Sequence, residues 1–288
     1  MLFGEFLGLW LDTFVQPFRA ANTTACYRRA INALPPSVLG CDFEQLNGLQ
    51  LQAALNAQAS KHPRAAQLTY AMLHASLGKA VELGILMRSP LNGCIKPQHT
   101  AQRADVLSVE QLAQYIATAR AYSAYPLLLL MATCGLRRSE ALGLMWQDIT
   151  AEQIHVRRQR LRVNHEYRAA PLKSAAATRV LPLAAPIGKE LAAVRVRSLA
   201  GWVCDIPPET LRKQHISVLK AAHLPPVTLH GLRHSMATAA AADGCPIKVL
   251  QGILGHARYQ LTADLYANHL KPDNYAPSMA NLAAAVMG

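Results

Sequence analysis

Arginines and histidines recur in three short segments whose residue types suit chemistry at a phosphodiester. The segments are Ala132-Thr-Cys-Gly-Leu-Arg-Arg-Ser-Glu-Ala-Leu-Gly-Leu144, Leu229-His-Gly-Leu-Arg-His-Ser-Met-Ala-Thr238 and Gly252-Ile-Leu-Gly-His-Ala-Arg-Tyr-Gln-Leu-Thr-Ala-Asp-Leu-Tyr266. Attack on a phosphodiester builds negative charge on the non-bridging oxygens of a five-coordinate phosphorus. Guanidinium forks answer that charge with paired hydrogen bonds and stay protonated at any working pH. Arg137 and Arg233 are the two arginines expected to do so. A phenol, with its pKa near ~10, needs only modest help to become a nucleophile. Its ester keeps enough reactivity to be reversed without ATP. Tyr259, Tyr266 and Tyr275 all lie within or beyond the third segment.

The order and spacing of the three segments resemble the tyrosine recombinase family, which includes the phage integrases. The family pattern is an arginine in G-[LM]-R-x-[SG]-E, then H-x-x-R, then L-G-H, with a tyrosine about ten positions later. All four occur here in order, and Tyr266 stands ten residues after His256. The resemblance selects Tyr266 over its two neighbours as the nucleophile. It implies that His230 and His256 bond the scissile phosphate or assist proton transfer beside it. It also implies a lysine donor for the leaving 5′-oxygen, matched by Lys173 in Pro171-Leu-Lys-Ser-Ala-Ala-Ala-Thr-Arg-Val-Leu-Pro-Leu183. Glu140 matches an acid that orients the site. No cofactor is called for. His230 and His234 lie four apart, as zinc-binding histidines do, but the carboxylate of an H-E-x-x-H helix is missing, so no metal is expected.

These side chains need elements to hold them. Residues 2–18 are apolar on most of one face. Asn22-Thr23-Thr24 offers an N-cap for a helix through Tyr27, Ala30, Ile31 and Leu34, which Pro35-Pro36 ends. Asp42-Phe43-Glu44 opens a third helix carrying Leu46, Leu49, Leu51 and Leu55. A longer one runs from about Pro63 to Ile85 with Leu68, Met72, Leu73, Leu77 and Val81 at helical spacing. Four helices with short connections suit a small bundle. Prolines, a glycine and polar residues over 88–106 mark a linker, and Ser108-Val-Glu-Gln111 reads as a capping box. From Gln153 to Leu183 the pattern alternates as in short antiparallel strands. Helices resume at about 186–198, 209–221, 228–242, 246–253 and 273–286.

The expected fold is therefore mainly α (α+β). A helical core-binding, DNA-binding bundle covers 1–95, a linker 96–106, and a mostly helical catalytic domain with a small antiparallel sheet 107–288. Arg157, Arg158, Arg160 and Arg162 form a basic run on the proposed strands, either a solvated face or a DNA-backbone contact. Met279, Leu282, Ala283 and Val286 give the last helix one apolar side, which either folds back on its own domain or, by resemblance, docks on a neighbouring subunit.

Composition agrees with such a partner. The 288 residues carry 29 Lys and Arg against 17 Asp and Glu, with a pI near 9.7, a balance that favours polyanions. Only eight basic and five acidic residues fall in the first hundred, so most of the surplus lies later. Half the residues are apolar, enough for a substantial core. The six cysteines form no C-x-x-C pair, as suits free thiols in a reducing compartment. The N-terminus carries Glu5 and no basic leader or cleavage site, and no apolar run reaches the ~18 residues of a membrane span. A cytoplasmic, nucleoid-associated protein is expected.

The resemblance implies a recombinase that joins DNA through a 3′-phosphotyrosyl intermediate, as a homotetramer on paired double-stranded sites. An accessory DNA-bending or directionality factor is left open as a further partner. Two alternatives stay beside it: a catalytically silent DNA-binding protein of the same fold, and a type IB topoisomerase-like relaxing enzyme.

Overall fold

The computed structural model describes residues 1–99, 105–163, 166–172, 174–195, 201–256 and 262. The chain divides into two compact units, Met1–Gln102 and Arg103–Gly288.

The first unit is helical: α1 (Phe3–Trp10) running into a π turn (Leu11–Val15), α2 (Ala21–Asn32), α3 (Pro36–Leu39), α4 (Gly48–Ala59) and α5 (Pro63–Glu82). Phe3, Phe6 and Phe43 stack, with the last two ring centroids 4.3 Å apart, over Leu51, Leu55, Met72, Leu73 and Leu77. Local boundaries differ from the sequence expectation. α2 begins after Ala20 without a side-chain cap, and Thr24, inside its first turn, is buried. Asp42 caps only a 3₁₀ turn (Phe43–Gln45). The N-terminus of α4 is instead held by a reciprocal pair, Asn47 Oδ1 accepting from Gln50 N at 3.1 Å and Gln50 Oε1 accepting from Asn47 N at 3.2 Å. Leu49 is therefore out of phase with Leu51, Ala54 and Leu55, and it is 81% exposed.

The second unit contains α6 (Val109–Ala119), α7 (Tyr125–Cys134), α8 (Arg138–Leu142), β1 (Gln153–Val156), β2 (Arg158–Val163), β3 (Glu166–Pro171), β4 (Arg179–Pro182), α9 (Ala185–Val194), α10 (Pro208–Ala221), α11 (Leu229–Ala242) and α12 (Ile247–Leu254). The run Tyr125–Ala132 is buried throughout, which makes α7 the central helix. It packs on α6, α8 and α11. Ser108 and Gln111 form the expected capping box, and Leu107 N donates to Ser235 Oγ on α11 at 2.8 Å. The strands form two antiparallel ladders: β1 with β4 (Ile154↔Leu181) and β2 with β3 (Val163↔Glu166). Arg157 lies between β1 and β2, so the outer strands pair with each other and the inner ones make a hairpin. The expected helix at 273–286 lies outside the described residues, as does most of the segment after His256. Among the described residues, no helix is long and apolar enough to cross a membrane.

Candidate active site

The site is assembled from chain ends that glycines make possible. α7 ends at Gly135 with φ +64, a left-handed cap that favours glycine. A Cβ there would also meet Met236 Cε at 2.1 Å. The chain then turns through Leu136 to Arg137, which is the N-cap residue of α8. Glu140, three residues on, reaches back: its Oε2 accepts from Arg137 N at 3.0 Å and its Oε1 from Arg137 Nη1 at 2.6 Å.

Arg233 comes from α11, whose N-cap Thr228 accepts from Gly231 N at 2.9 Å. The positions 230, 233 and 234 share one face by helical spacing. His230 and His234 meet edge-to-face with ring centroids 4.5 Å apart. Arg233 is only 2% exposed, and its two terminal nitrogens donate to Gly135 O at 2.6 Å and Leu254 O at 2.5 Å.

α12 supplies the meeting point. It ends at Gly255 with φ +59, and its last carbonyls have no partner within the helix. Three guanidiniums take them in succession. Arg179 Nε donates to Ile253 O at 2.6 Å, Arg233 Nη2 to Leu254 O, and Arg137 Nη2 to Gly255 O at 2.9 Å. The negative end of the helix dipole suits these cations. His256 follows directly, with Nδ1 bonded to the buried Thr262 Oγ1 at 2.9 Å, so Nε2 is the nitrogen left to meet a ligand.

The electrostatics are uneven. Burial alone would raise the Glu140 carboxyl, but its bonds from Arg179 and Arg137 outweigh that and hold it below the usual range. Among the described residues, Glu140 is thus the one carboxylate that pairs with Arg137 and Arg179, and with Arg233 alongside a cationic surplus remains. Burial, then the Arg137 charge, pushes the Arg233 guanidinium down, while Glu140 pulls it back up. Burial followed by the same arginines depresses His256 to about 4. For His230, also near 4, burial comes first and then His234, Arg233 and Arg137. The His230 ring is exposed at the surface, so water screens part of this effect. A cation-rich cluster whose histidines are depressed is a place for an anion.

Of the residues expected from sequence, Arg137, Glu140, His230, Arg233 and His256 are brought together. Lys173 and Tyr266 lie outside the described residues, as do Tyr259 and Tyr275. The basic run is engaged elsewhere. Arg157 Nε pairs with Asp148 Oδ1 at 3.0 Å, and Arg158 pairs with the other oxygen of that buried carboxylate. Arg160 Nη1 pairs with Asp205 at 2.6 Å and stacks over Trp202, 5.0 Å from the ring centroid. The side chain of Arg162 lies outside the described part of the structure. Arg179 was not among the expected site residues. Its signal was its place in the run that begins at Lys173, six residues before it.

One consequence concerns acid stability. His215 is buried: its Nε2–H donates to Val227 O at 2.8 Å, and its Nδ1 accepts from Tyr115 Oη at 2.7 Å. Burial depresses this imidazole, with the Val227 bond opposing, and burial likewise depresses His234. A histidine depressed in the fold binds its proton more readily when unfolded. Its contribution is therefore complete above the unfolded pKa of ~6.5 and is lost as pH falls below it. The urea midpoint is expected to drop between about pH 7 and pH 5, with the His215 ring titrating below the ordinary imidazole range by NMR. A midpoint that rises over that interval would contradict the assignment.

Comparison with known proteins places this geometry in context. A family model described as the phage integrase family matches residues 103–272. A tyrosine recombinase XerC-like protein of Caldanaerobacter subterraneus subsp. tengcongensis is 24% identical, covering 92% of this chain and 78% of the relative. The tyrosine recombinase XerC of Rhodospirillum centenum is 33% identical over 50% of this chain and 43% of its own. Among solved structures, the Tn1549 transposon integrase in complex with transposon right end DNA superposes with a TM-score of 0.83 at 18% identity, covering 98% of this chain and 100% of that one. A lambda integrase tetramer bound to a Holliday junction gives 0.71 at 15% identity, over 94% and 79%. These structural likenesses show a shared fold.

Proposed function

Since the chain belongs to the phage integrase family of tyrosine recombinases, we propose that it recombines DNA at specific sites with Tyr266 as nucleophile and the Arg137–Arg233 cluster as the phosphate site. As a tyrosine recombinase it cuts and rejoins DNA strands by transesterification. The observation that carries the assignment of the site is the fork arrangement at the end of α12. Arg137 and Arg233, from α8 and α11, end on the neighbouring carbonyls of Gly255 and Leu254, beside one carboxylate. A phosphodiester brings the negative charge this cluster lacks.

In the proposed step, Tyr266 Oη forms a bond to phosphorus as the P–O5′ bond breaks. A neutral histidine of the cluster assists removal of the phenolic proton, and Lys173 supplies a proton to the leaving 5′-oxygen. The product is a 3′-phosphotyrosyl ester. Attack by the 5′-hydroxyl of a partner strand reverses every bond change, so no external energy source is needed. Arg137 and Arg233 bind the non-bridging oxygens where charge grows, and Glu140 orients Arg137.

Double-stranded DNA is the partner, with the first unit as a core-binding domain (1–95), a linker (96–106) and the catalytic domain (107–288). Four copies on paired sites would exchange strands through a Holliday junction, a reading supported by the tetrameric assembly of lambda integrase on such DNA. In the cell the protein would be cytoplasmic and associated with the nucleoid when bound to DNA.

The test is a nicked duplex carrying the cognate site, from which the short fragment bearing the freed 5′-hydroxyl diffuses away. Denaturing electrophoresis should show protein joined to DNA, with the joined strand open to an exonuclease that starts at a free 5′ end. Binding without an adduct would favour the silent binder. Plasmid relaxation that never yields recombinants would favour the topoisomerase-like enzyme.

A further inference from the structure

Arg179 is more deeply embedded in this cluster than Arg137. Its side chain is 7% exposed, against 32% for Arg137. Its guanidinium makes a three-way fork: Nε donates to Ile253 O at 2.6 Å, Nη1 to Ala177 O at 2.9 Å and Nη2 to Glu140 Oε2 at 2.9 Å. The three acceptors belong to the end of α12, the 3₁₀ turn Ala175–Ala177 and α8. Gly255 closes the same junction. A Cβ on it would lie 3.0 Å from both Ala176 O and Arg179 Nη1, so the turn rests directly on the backbone that leads into His256.

We propose that Arg179 is a positioning residue for strand cleavage: it locks the turn that follows Lys173 to the segment that precedes His256 and anchors both on Glu140. The inference rests on the reading of Lys173 as the proton donor to the 5′-oxygen. Ser174 opens the turn that Arg179 holds, so one planar cation sets the distance between the donor's loop and the phosphate-binding arginines. Only a guanidinium carries donors for three acceptors in one plane; an ammonium is a single nitrogen and cannot span them. Loosening the turn displaces the donor. A misplacement of about 1 Å typically costs on the order of 10²-fold in rate.

The test compares Arg179→Gln and Arg179→Lys with Lys173→Ala on two DNA substrates. One has the normal 5′-oxygen at the scissile position and the other a bridging sulfur. A thiolate leaves without a proton, so sulfur removes the need for the donor and for whatever aligns it. The Arg179 variants are expected to bind DNA as the unaltered protein does. On the oxygen substrate they should lose roughly 10²-fold in kcat with little change in KM, and they should recover on sulfur, as Lys173→Ala should. Arg179→Lys, which keeps the charge, carries the test if Arg179→Gln melts. Oxygen-substrate cleavage close to the unaltered rate would overturn the inference. So would equal slowness on both substrates by the Arg179 variants when Lys173→Ala recovers, because that pattern belongs to a general packing role. Failure of Lys173→Ala to recover would remove the donor assignment itself, and this inference with it.

Discussion

Replacing Tyr266 by phenylalanine should abolish the covalent protein–DNA adduct while leaving DNA affinity nearly unchanged. The substitution removes one oxygen and keeps the ring, so the volume and charge of the side chain are nearly the same in both proteins. What disappears is the oxygen to which the proposal assigns the new bond to phosphorus. A water molecule cannot stand in, because hydrolysis would leave a free 3′-phosphate and no energy for resealing. The loss is therefore a change of outcome, with no adduct at any incubation time. Tyr259→Phe and Tyr275→Phe should both retain the adduct, and its persistence in Tyr266→Phe would assign the nucleophile to another side chain.

Arg233→Met should damage fold and reaction together. Arg233 donates to Gly135 O at the end of α7 and to Leu254 O at the end of α12, and its side chain is 2% exposed. Methionine fills much of the space but donates nothing, so two carbonyls lose a partner. Each buried unsatisfied group costs about 1–3 kcal/mol. The urea midpoint should fall accordingly, without a change in the slope that reports two-state unfolding. Cleavage should fall by at least ~10²–10³-fold, the usual consequence of removing one donor from a site of developing charge. Arg138→Met, one residue beyond Arg137 on α8, should do neither. A stable and active Arg233→Met protein would mean that this buried cation serves neither purpose.

The ordered segments make most of the cluster legible in the sequence. Residue type restricts the chemistry, and a helix places 230, 233 and 234 on one side whatever the rest of the chain does. Arg179 is less legible because its role is long-range. Apart from its place after Lys173, nothing local distinguishes an arginine that bonds Ile253 O and Glu140 from one that faces water. The basic run at 157–162 shows the converse. Its spacing suggests an open positive face; Arg157 stays half exposed while sharing the buried Asp148 with Arg158, and Arg160 lies over Trp202. Strand alternation likewise shows period without partner. Val156 pairs with Arg179, and Arg158 with Pro171, because the chain breaks at Arg157. In the first unit, the Asn47–Gln50 cap sets the phase of α4 and sends Leu49 outward, whereas Asp42 looks like the stronger start signal in the sequence.

The central claim is that Arg137 and Arg233 serve one phosphorus atom by neutralising its non-bridging oxygens. The most direct measurement replaces one of those oxygens with a methyl group at the scissile position, giving an uncharged methylphosphonate. Arg137→Ala is the suitable variant, since the Arg137 side chain is partly exposed and its loss spares the buried contacts of Arg233. On the ordinary diester, Arg137→Ala should be slower by roughly 10²–10³-fold. On the methylphosphonate, where there is less charge to neutralise, most of that deficit should vanish. An equal deficit on both substrates would contradict the claim, because the guanidinium would then be acting on something other than the charge of the phosphate.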